Sequence, residues 1–368
     1  MKILIVAGGT GGHILPALAV ARDIKTRNIG EVLFVISSKK QDRDIISGKG
    51  IDFIALPIAP LGPKNIFSVL IFLTRLLAGT IESVFTLLKF RPDAVVGFGG
   101  YVSGPIVLAA SFLGIRTIIH EQNAYPGKAN RILARFVNKI AISFPDVKNY
   151  FKGFESKVIF SGNPLREGLK RDDRERPCDS FSGLVIGGSQ GAHKLNTIVP
   201  EAISLMRDNH RKMLNIIHIA GKDEKEDVEK SYGKIGIKNR VFSFTEHMAG
   251  LYNECDFVIS RAGAMTVSEL LALGIPAILV PYPYAGGHQR MNAEALEKIG
   301  SGILLEEGNL TSSVMRDAIL SLMDRDVLGV MSARAKDIDK PEACKILINE
   351  VITCGTKPSP LFTKGWTK

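Results

Sequence analysis

Two short runs gather glycine, a hydroxyl side chain and histidine: GGTGGH at residues 8–13, and GGSQGA at 187–192, followed by His193. Glycine between a strand and a helix lets backbone N–H groups approach an anion at the positive end of the helix, so such loops suit phosphate. The alternative, a turn that serves only packing, is weakened by the presence of two matching loops. Histidine as a residue type titrates near neutrality, which makes His13, at the end of the first loop, a candidate for removing a proton from an attacking hydroxyl. A hydrogen-bonded, inert histidine at a helix start is the competing reading. Glu121, in HEQNAYPGKAN at 120–130, is a second candidate base.

The loops do not fit the common nucleotide fingerprints. GxGxxG would need glycine at position 14 after Gly9 and Gly11, where Ile14 stands, and the second loop misses that spacing too. The next strand-like run, EVLFVIS, is followed by Ser38 and Lys39 and supplies no carboxylate for the ribose of a nicotinamide cofactor, and no GxxxxGK[ST] occurs. Dehydrogenase and P-loop ATPase chemistry are thereby disfavoured. Two DRD triplets, 42–44 and 324–326, read as acidic first turns of helices and not as metal ligands, so no bound metal and no cofactor are expected. Thr266-Val-Ser-Glu269 reads as a capping box. Asn123 reads as a turn former, and Arg166, after Asn163-Pro164, as either a surface charge or a cation placed for an anionic ligand.

Short apolar runs separated by helical patterns must position these residues. ILIVA, EVLFVIS, DFIALPI, DAVVGF and RTIIH come first; after the charged stretch 168–180 the rhythm restarts with GLVIGG and continues through LNIIHIAG, RVFSFT, DFVIS and PAILVP. That is α/β architecture with two doubly wound parallel sheets, whose ligands sit at the carboxyl ends of the strands and in an interdomain cleft. The boundary is placed at 162/163: an N-terminal domain 1–162, a second domain 163–341, and a last segment, 342–368, expected as a helix able to pack back on the first. With 368 residues, 45% hydrophobic, the chain exceeds one core. The net charge of +10 favours anionic partners. Cys178, Cys255, Cys344 and Cys354 form no CxxC pair, and the N-terminal apolar run is too short for a signal peptide, so a reducing, cytoplasmic setting is expected.

GGTGGH (8–13), HEQNAYPGKAN (120–130), SGNPLRE (161–167), GGSQGA (187–192) and SRAGAMTVSELLALGIPAILVPYP (260–283) together resemble the MurG family of bacterial UDP-N-acetylglucosamine:lipid I N-acetylglucosaminyltransferases, in order along nearly the whole chain. The resemblance implies the GT-B fold, two Rossmann-like domains, and inverting, metal-independent hexosyl transfer to the C4 hydroxyl of lipid I, giving lipid II for peptidoglycan. It implies donor contacts from Ser189 and Arg166 to the diphosphate and from Glu269 to the ribose hydroxyls. It places Thr245 near the uracil and the loop from Arg261 through Ala264, Met265, Thr266, Val267 and Ser268 against the donor, with Asn123 and Gln289 at the sugar. Thr10, Gly11 and Gly12 would meet donor phosphate and the diphosphate of an undecaprenyl-linked acceptor. The family often carries an acidic residue where Gly287 stands, which weakens the expected network around Gln289.

The stretch 65–93, NIFSVLIFLTRLLAGTIESVFTLLKFRPD, is strongly apolar but interrupted by Arg75 and Glu82, and the run before Arg75 is too short to span a bilayer. It reads in part as buried helices and in part as a face in which Ile66, Phe67, Leu70, Ile71 and Phe72 dip into lipid while Lys64, Arg75, Lys89 and Arg91 meet acidic headgroups. The resemblance favours a peripheral protein on the cytoplasmic face of the cell membrane, with an anionic membrane surface and cell-wall synthesis proteins as partners. A UDP-N-acetylglucosamine 2-epimerase and a non-catalytic nucleotide-sugar-binding protein are the rival readings. Nucleic-acid binding has only net charge behind it.

Overall fold

The computed structural model describes residues 1–58, 66–166, 168–172, 177, 179–187, 192–284, 286–337 and 342–355. Strands β1 (Lys2–Val6), β2 (Glu31–Ser37), β3 (Asp52–Leu56), β4 (Ala94–Gly97), β5 (Arg116–Glu121), β6 (Lys139–Ile142) and β7 (Val158–Phe160) form one parallel sheet in the order β3-β2-β1-β4-β5-β6-β7. Around it lie helices α1 (Gly11–Thr26), α2 (Lys40–Ile46), α3 (Ile66–Phe90), α4 (Ser103–Phe112) and α5 (Lys128–Leu133). A second parallel sheet, β10-β9-β8-β11-β12-β13, contains β8 (Phe181–Ile186), β9 (Leu214–Ile219), β10 (Lys238–Phe242), β11 (Phe257–Ser260), β12 (Ala277–Leu279) and β13 (Gly302–Leu304). It carries α6 (His193–Ser204), α7 (Asp208–Met213), α8 (Lys225–Ile235), α9 (Met248–Glu254), α10 (Ala264–Leu273), α11 (His288–Ile299), α12 (Ser312–Leu322) and α13 (Arg325–Lys336). The last helix, α14 (Ala343–Gly355), returns to the first sheet.

Central strands such as β4 and β11 are apolar at nearly every position because helices cover both faces of their sheet, which removes the polar alternation of a half-exposed strand. In each sheet the strand order reverses beside the first strand of its unit, β1 against β4 and β8 against β11, and the glycine runs follow those first strands. Reversal points of this kind leave a crevice at the carboxyl ends of the strands.

The chain divides into two compact units, Met1–Glu167 with Pro341–Lys368, and Gly168–Lys340. Asn163 through Arg166 therefore belong to the first unit and not, as the sequence suggested, to the second. A physical reason is visible: Asn163 is buried and its Nδ2 donates to the Gln122 carbonyl at 3.0 Å. On the other side of the boundary, Arg171 donates to the carbonyls of Gly274 (3.0 Å) and Cys255 (3.3 Å) in the second unit. Leu347, Ile348 and Val351 of α14 lie in the same buried cluster as Ile3, Ile14, Phe34 and Phe98. On this helix burial pushes the Cys344 thiol up to about 12.

Candidate active site

In the first unit, Gly9 adopts φ +93 and Gly100 φ +77, both in the left-handed region that favours glycine. A Cβ on Gly100 would lie 2.0 Å from the Gly8 carbonyl oxygen, so the loops after β1 and β4 touch backbone to backbone. Buried Asp42 fixes the first of them: its Oδ2 accepts from the Gly9 N–H at 2.8 Å and from Ser37 Oγ at 2.5 Å, while the Tyr101 hydroxyl donates to Ser37 Oγ at 2.9 Å. Thr10 is the N-cap of the 16-residue α1, whose first turn carries no acidic side chain. The N–H groups of that turn have no partner four residues back, so the helix presents donors and a positive field to an anion at Thr10, Gly11 and Gly12.

His13 sits in the same turn, half-buried, with Nδ1 3.1 Å from Gln122 Oε1. Gln122 is buried, and so is His120, which burial holds at a pKa of about 4 despite its bond to the Gly162 carbonyl, with His13 adding a smaller depressing effect.

Glu121, the second candidate base, proves to be a loop organiser. One carboxylate oxygen accepts from the Asn123 N–H (3.0 Å) and Asn123 Nδ2 (3.2 Å), the other from the Gly127 N–H (2.9 Å) and Asn130 Nδ2 (2.8 Å). With four donors on it, this carboxylate is committed to holding the loop 121–130 together. Its effect is to orient Asn123, the residue expected at the sugar.

In the second unit, α10 starts at Ala264 with Gly263 as N-cap, so Thr266 lies inside the helix and the expected capping box does not form. Glu269 is instead buried, at 2% exposure, and accepts from the Tyr252 hydroxyl at 2.8 Å. The Val267 N–H is already used by the Gly263 carbonyl, and the Val267 side chain faces the core. The helix-start donors are therefore those of Ala264, Met265 and Thr266. Behind them, buried Asn292 donates to the Ala262 carbonyl at 3.0 Å. Arg261 ties down the neighbouring loop through the Val280 carbonyl (3.1 Å), an ion pair with Glu307 and the face of Tyr282.

Gln289, in the first turn of α11, accepts from the Tyr282 N–H at 2.9 Å. Gly287 is the N-cap of that helix at φ +82, so the side chain that the family often carries there would be strained in this backbone. Thr245 Oγ1 accepts from the His247 N–H at 3.0 Å in the turn before α9. Half-buried Arg166 lies in the irregular chain after β7. Ser189 lies outside the described residues.

Both DRD triplets stand at helix starts. Asp324 caps α13 by accepting from the N–H groups of Asp326 and Val327. Asp42 does more than the sequence reading allowed, because it pins the glycine loop. Sequence reasoning also missed Gln122, His120, Asn130, Tyr252 and Asn292. For the first two a signal existed: residues 120 and 122 share one side of an extended chain, opposite 121.

The stretch forms a single helix, α3, with one buried and one exposed face, as the division of the segment between two roles anticipated. Gly79, Ser83, Thr86 and Leu87 are buried, and a Cβ on Gly79 would lie 2.2 Å from Ile58 Cγ1. The opposite face exposes Phe67, Leu70, Leu73, Leu77, Ile81, Phe85 and Leu88. Ile71 is also exposed, whereas Phe72 turns inward and is half-buried; the Ile66 side chain lies outside the described ones. Arg75 and Glu82 flank the stripe and do not interrupt it. By length and composition alone Phe67–Phe90 is long and apolar enough to cross a membrane, although the run before Arg75 is not. On the same unit, an open groove of about 600 Å³ is lined by Lys128, Arg131, Ile132, Arg135 and Phe136.

Comparison with known proteins gives the site its family. Residues 3–142 match the glycosyltransferase family 28 N-terminal domain and residues 183–343 its C-terminal domain. The UDP-N-acetylglucosamine--N-acetylmuramyl-(pentapeptide) pyrophosphoryl-undecaprenol N-acetylglucosamine transferase of Halothermothrix orenii is 39% identical, over 95% of this chain and 98% of its own. The protein of that name from Geobacter sulfurreducens is 37% identical, over 97% and 100%. The crystal structure of Acinetobacter baumannii MurG superposes with a TM-score of 0.79 at 30% identity, covering 96% of this chain and 100% of that one. The chain belongs to the MurG branch of glycosyltransferase family 28. Its two parallel-sheet units are those of the GT-B fold. A UDP-N-acetylglucosamine 2-epimerase shares the fold alone, at 12% identity and a TM-score of 0.66. Thr10 to His13 and Glu121 fall in the N-terminal family 28 domain and Ser189, Thr245, Glu269 and Gln289 in the C-terminal one, while Arg166 lies between the two matched segments.

Proposed function

We infer that this chain transfers N-acetylglucosamine from UDP-N-acetylglucosamine to the C4 hydroxyl of lipid I, giving lipid II for peptidoglycan synthesis. The observation that carries the reading is the near-full-length identity to transferases named for that reaction, in a chain with both family 28 domains.

The base and the acceptor-diphosphate residues belong to the first unit, and most of the residues assigned to the donor belong to the second, Asn123 and Arg166 being the exceptions. His13 Nε2 takes the proton of the attacking hydroxyl, the oxygen bonds to the anomeric carbon, and the bond from that carbon to phosphate breaks with its electron pair leaving on UDP. One direct displacement inverts the anomeric centre. The donors of Ala264, Met265 and Thr266 at the start of α10, with Ser189 and Arg166, meet the charge that grows on the diphosphate. That arrangement serves without a bound metal or other cofactor. Glu269, set by Tyr252, takes the ribose hydroxyls, Thr245 lies at the uracil, and Asn123 and Gln289 hold the sugar. Thr10, Gly11 and Gly12 receive the acceptor diphosphate.

The apolar stripe of α3 supports peripheral attachment at the cytoplasmic face of an anionic membrane, where a lipid-linked acceptor resides. Lys128, Arg131 and Arg135 add positive charge around Ile132 and Phe136 on the same unit.

The test is UDP release from labelled UDP-N-acetylglucosamine in chelator, with and without a soluble lipid I analogue. Acceptor-dependent release with label on the acceptor is expected. Release without acceptor would indicate an epimerase or hydrolase, and donor binding without release a binding protein. His13→Ala is expected to lower kcat by about 10²–10⁴-fold. Near-normal turnover of this variant at saturating substrate would remove His13 from the mechanism.

A further inference from the structure

A chain of buried polar groups runs from the backbone just beyond the ends of β4 and β7, at Phe98 and Gly162, to His13. His120 Nε2 lies 2.9 Å from the Gly162 carbonyl, which can only accept, so Nε2 carries a proton. His120 is fully buried and neutral, so its Nδ1 carries a lone pair. Gln122 Nε2 lies 3.0 Å from that Nδ1 and 2.9 Å from the Phe98 carbonyl, and only the amide NH₂ satisfies two acceptors. The carbonyl of Gln122 is thereby turned toward His13, and at 3.1 Å from it His13 Nδ1 must donate. Two backbone carbonyls, fixed by the sheet, thus decide a proton position on a third residue.

Packing removes the alternatives. Gln122 is 1% exposed, and its main-chain carbonyl accepts from Asn163 Nδ2 at 3.0 Å, leaving the side-chain Oε1 for His13. The His120 ring stacks near Phe98, with centroids 5.1 Å apart. A Cβ on Gly99 would lie 3.1 Å from His13 Nδ1 and 3.2 Å from Cε1, so the loop after β4 backs that edge of the imidazole. Flipping the Gln122 amide would set its oxygen against the Phe98 carbonyl and the His120 lone pair at once.

We propose that Gln122, held by His120, is a positioning residue that fixes His13 in the tautomer with its proton on Nδ1 and its lone pair on Nε2. The proposal rests on His13 being the base of the transfer reaction. The orientation is set before the acceptor arrives, and it survives proton uptake: when Nε2 gains the proton of the C4 hydroxyl, the Nδ1–H bond to Gln122 is unchanged. The amide therefore supplies direction without a net charge that would hold the proton on the imidazole.

The tautomer is read directly from the ¹⁵N shifts of ¹⁵N-histidine-labelled protein at pH 8, with the His13 signals assigned by their loss in His13→Ala. The wild-type chain is expected to show a protonated Nδ1 and an unprotonated Nε2 at His13. In Gln122→Met, which keeps the volume and removes the amide, His13 is expected to show a mixture of tautomers. Its kcat is expected to fall about tenfold or more, with KM for UDP-N-acetylglucosamine within twofold of wild type. A proton on Nε2 in the wild type overturns the proposal, and so does an unchanged tautomer or an unchanged kcat in Gln122→Met. The wild-type measurement decides the tautomer even where the variant does not fold. Near-normal turnover of His13→Ala would instead overturn the base assignment, with the ¹⁵N shifts still reporting whether Gln122 sets the proton.

Discussion

Asp42 shows how one buried side chain makes a glycine loop into a binding surface. Glycine alone allows the backbone of residues 8–10 many conformations; the Asp42 carboxylate, accepting from Gly9 N–H and Ser37 Oγ, selects one. Asp42→Ala is expected to leave two donors unsatisfied, one of them in the loop, at a cost of about 1–3 kcal/mol. Because the loop is proposed to receive the acceptor diphosphate, KM for a lipid I analogue should rise while KM for UDP-N-acetylglucosamine stays within twofold. Thermal unfolding and steady-state kinetics together check this. Equal rises in both constants would mean that the loop does not serve the acceptor selectively. Glu269 carries the complementary lesson. A Thr-x-x-Glu run looks the same whether it caps a helix or lies one turn inside it, and the start of α10 at Ala264, with Tyr252 beside the carboxylate, decides which.

At the scale of elements, strands flanked by glycine were legible in the sequence because burial on both faces leaves unbroken apolar runs. β6, β7 and β13 were not; β4, β11 and β12 are as short, but β7 and β13 are edge strands whose residues are mostly half-buried, so they lack the unbroken buried run of a central strand. The His120–Gly162 contact was hidden for a related reason: it depends on β5, β6 and β7 lying side by side. In α3 the sequence divided the stretch between burial and membrane contact; 25 residues of helix, roughly 37 Å, have room for both. Residues 79, 83 and 86 turn to the protein, and 70, 77, 81 and 88 turn away. Replacing Leu77 and Ile81 together by Glu puts two charges on the exposed face without touching the packed one. Binding to vesicles containing anionic lipid is expected to drop at least tenfold. Turnover of a soluble acceptor should stay within twofold, and unfolding should shift by less than about 1 kcal/mol, as for other surface changes. Unchanged vesicle binding would assign the stripe to something other than lipid.

At the scale of the whole chain, each unit hides a neutral histidine in its polar core, and the two make a common response to acid. In the first it is His120, at about 4; in the second it is His218, held at about 3 by burial, with Nδ1 2.9 Å from the Tyr232 hydroxyl and Nε2 3.0 Å from Asn196 Oδ1. Tyr232 and Asn196 belong to α8 and α6, so the second histidine braces two helices against β9. Both folded-state values lie below the ordinary 6.5. Between them and 6.5 the unfolded chain binds protons that the folded one does not, so stability rises with pH through this window and is lost as pH falls. Each histidine contributes roughly 1 kcal/mol per pH unit there, saturating below its folded value. The expected outcome is a Tm nearly constant from pH 8 to 7 that falls progressively from pH 6.5 to 4.5. His218→Gln, which keeps polar atoms but cannot bind the proton, should flatten the part of the decline that belongs to the second unit. Calorimetry at half-unit steps of pH measures both, and a Tm that does not fall across that window would mean that neither imidazole is held neutral by its fold.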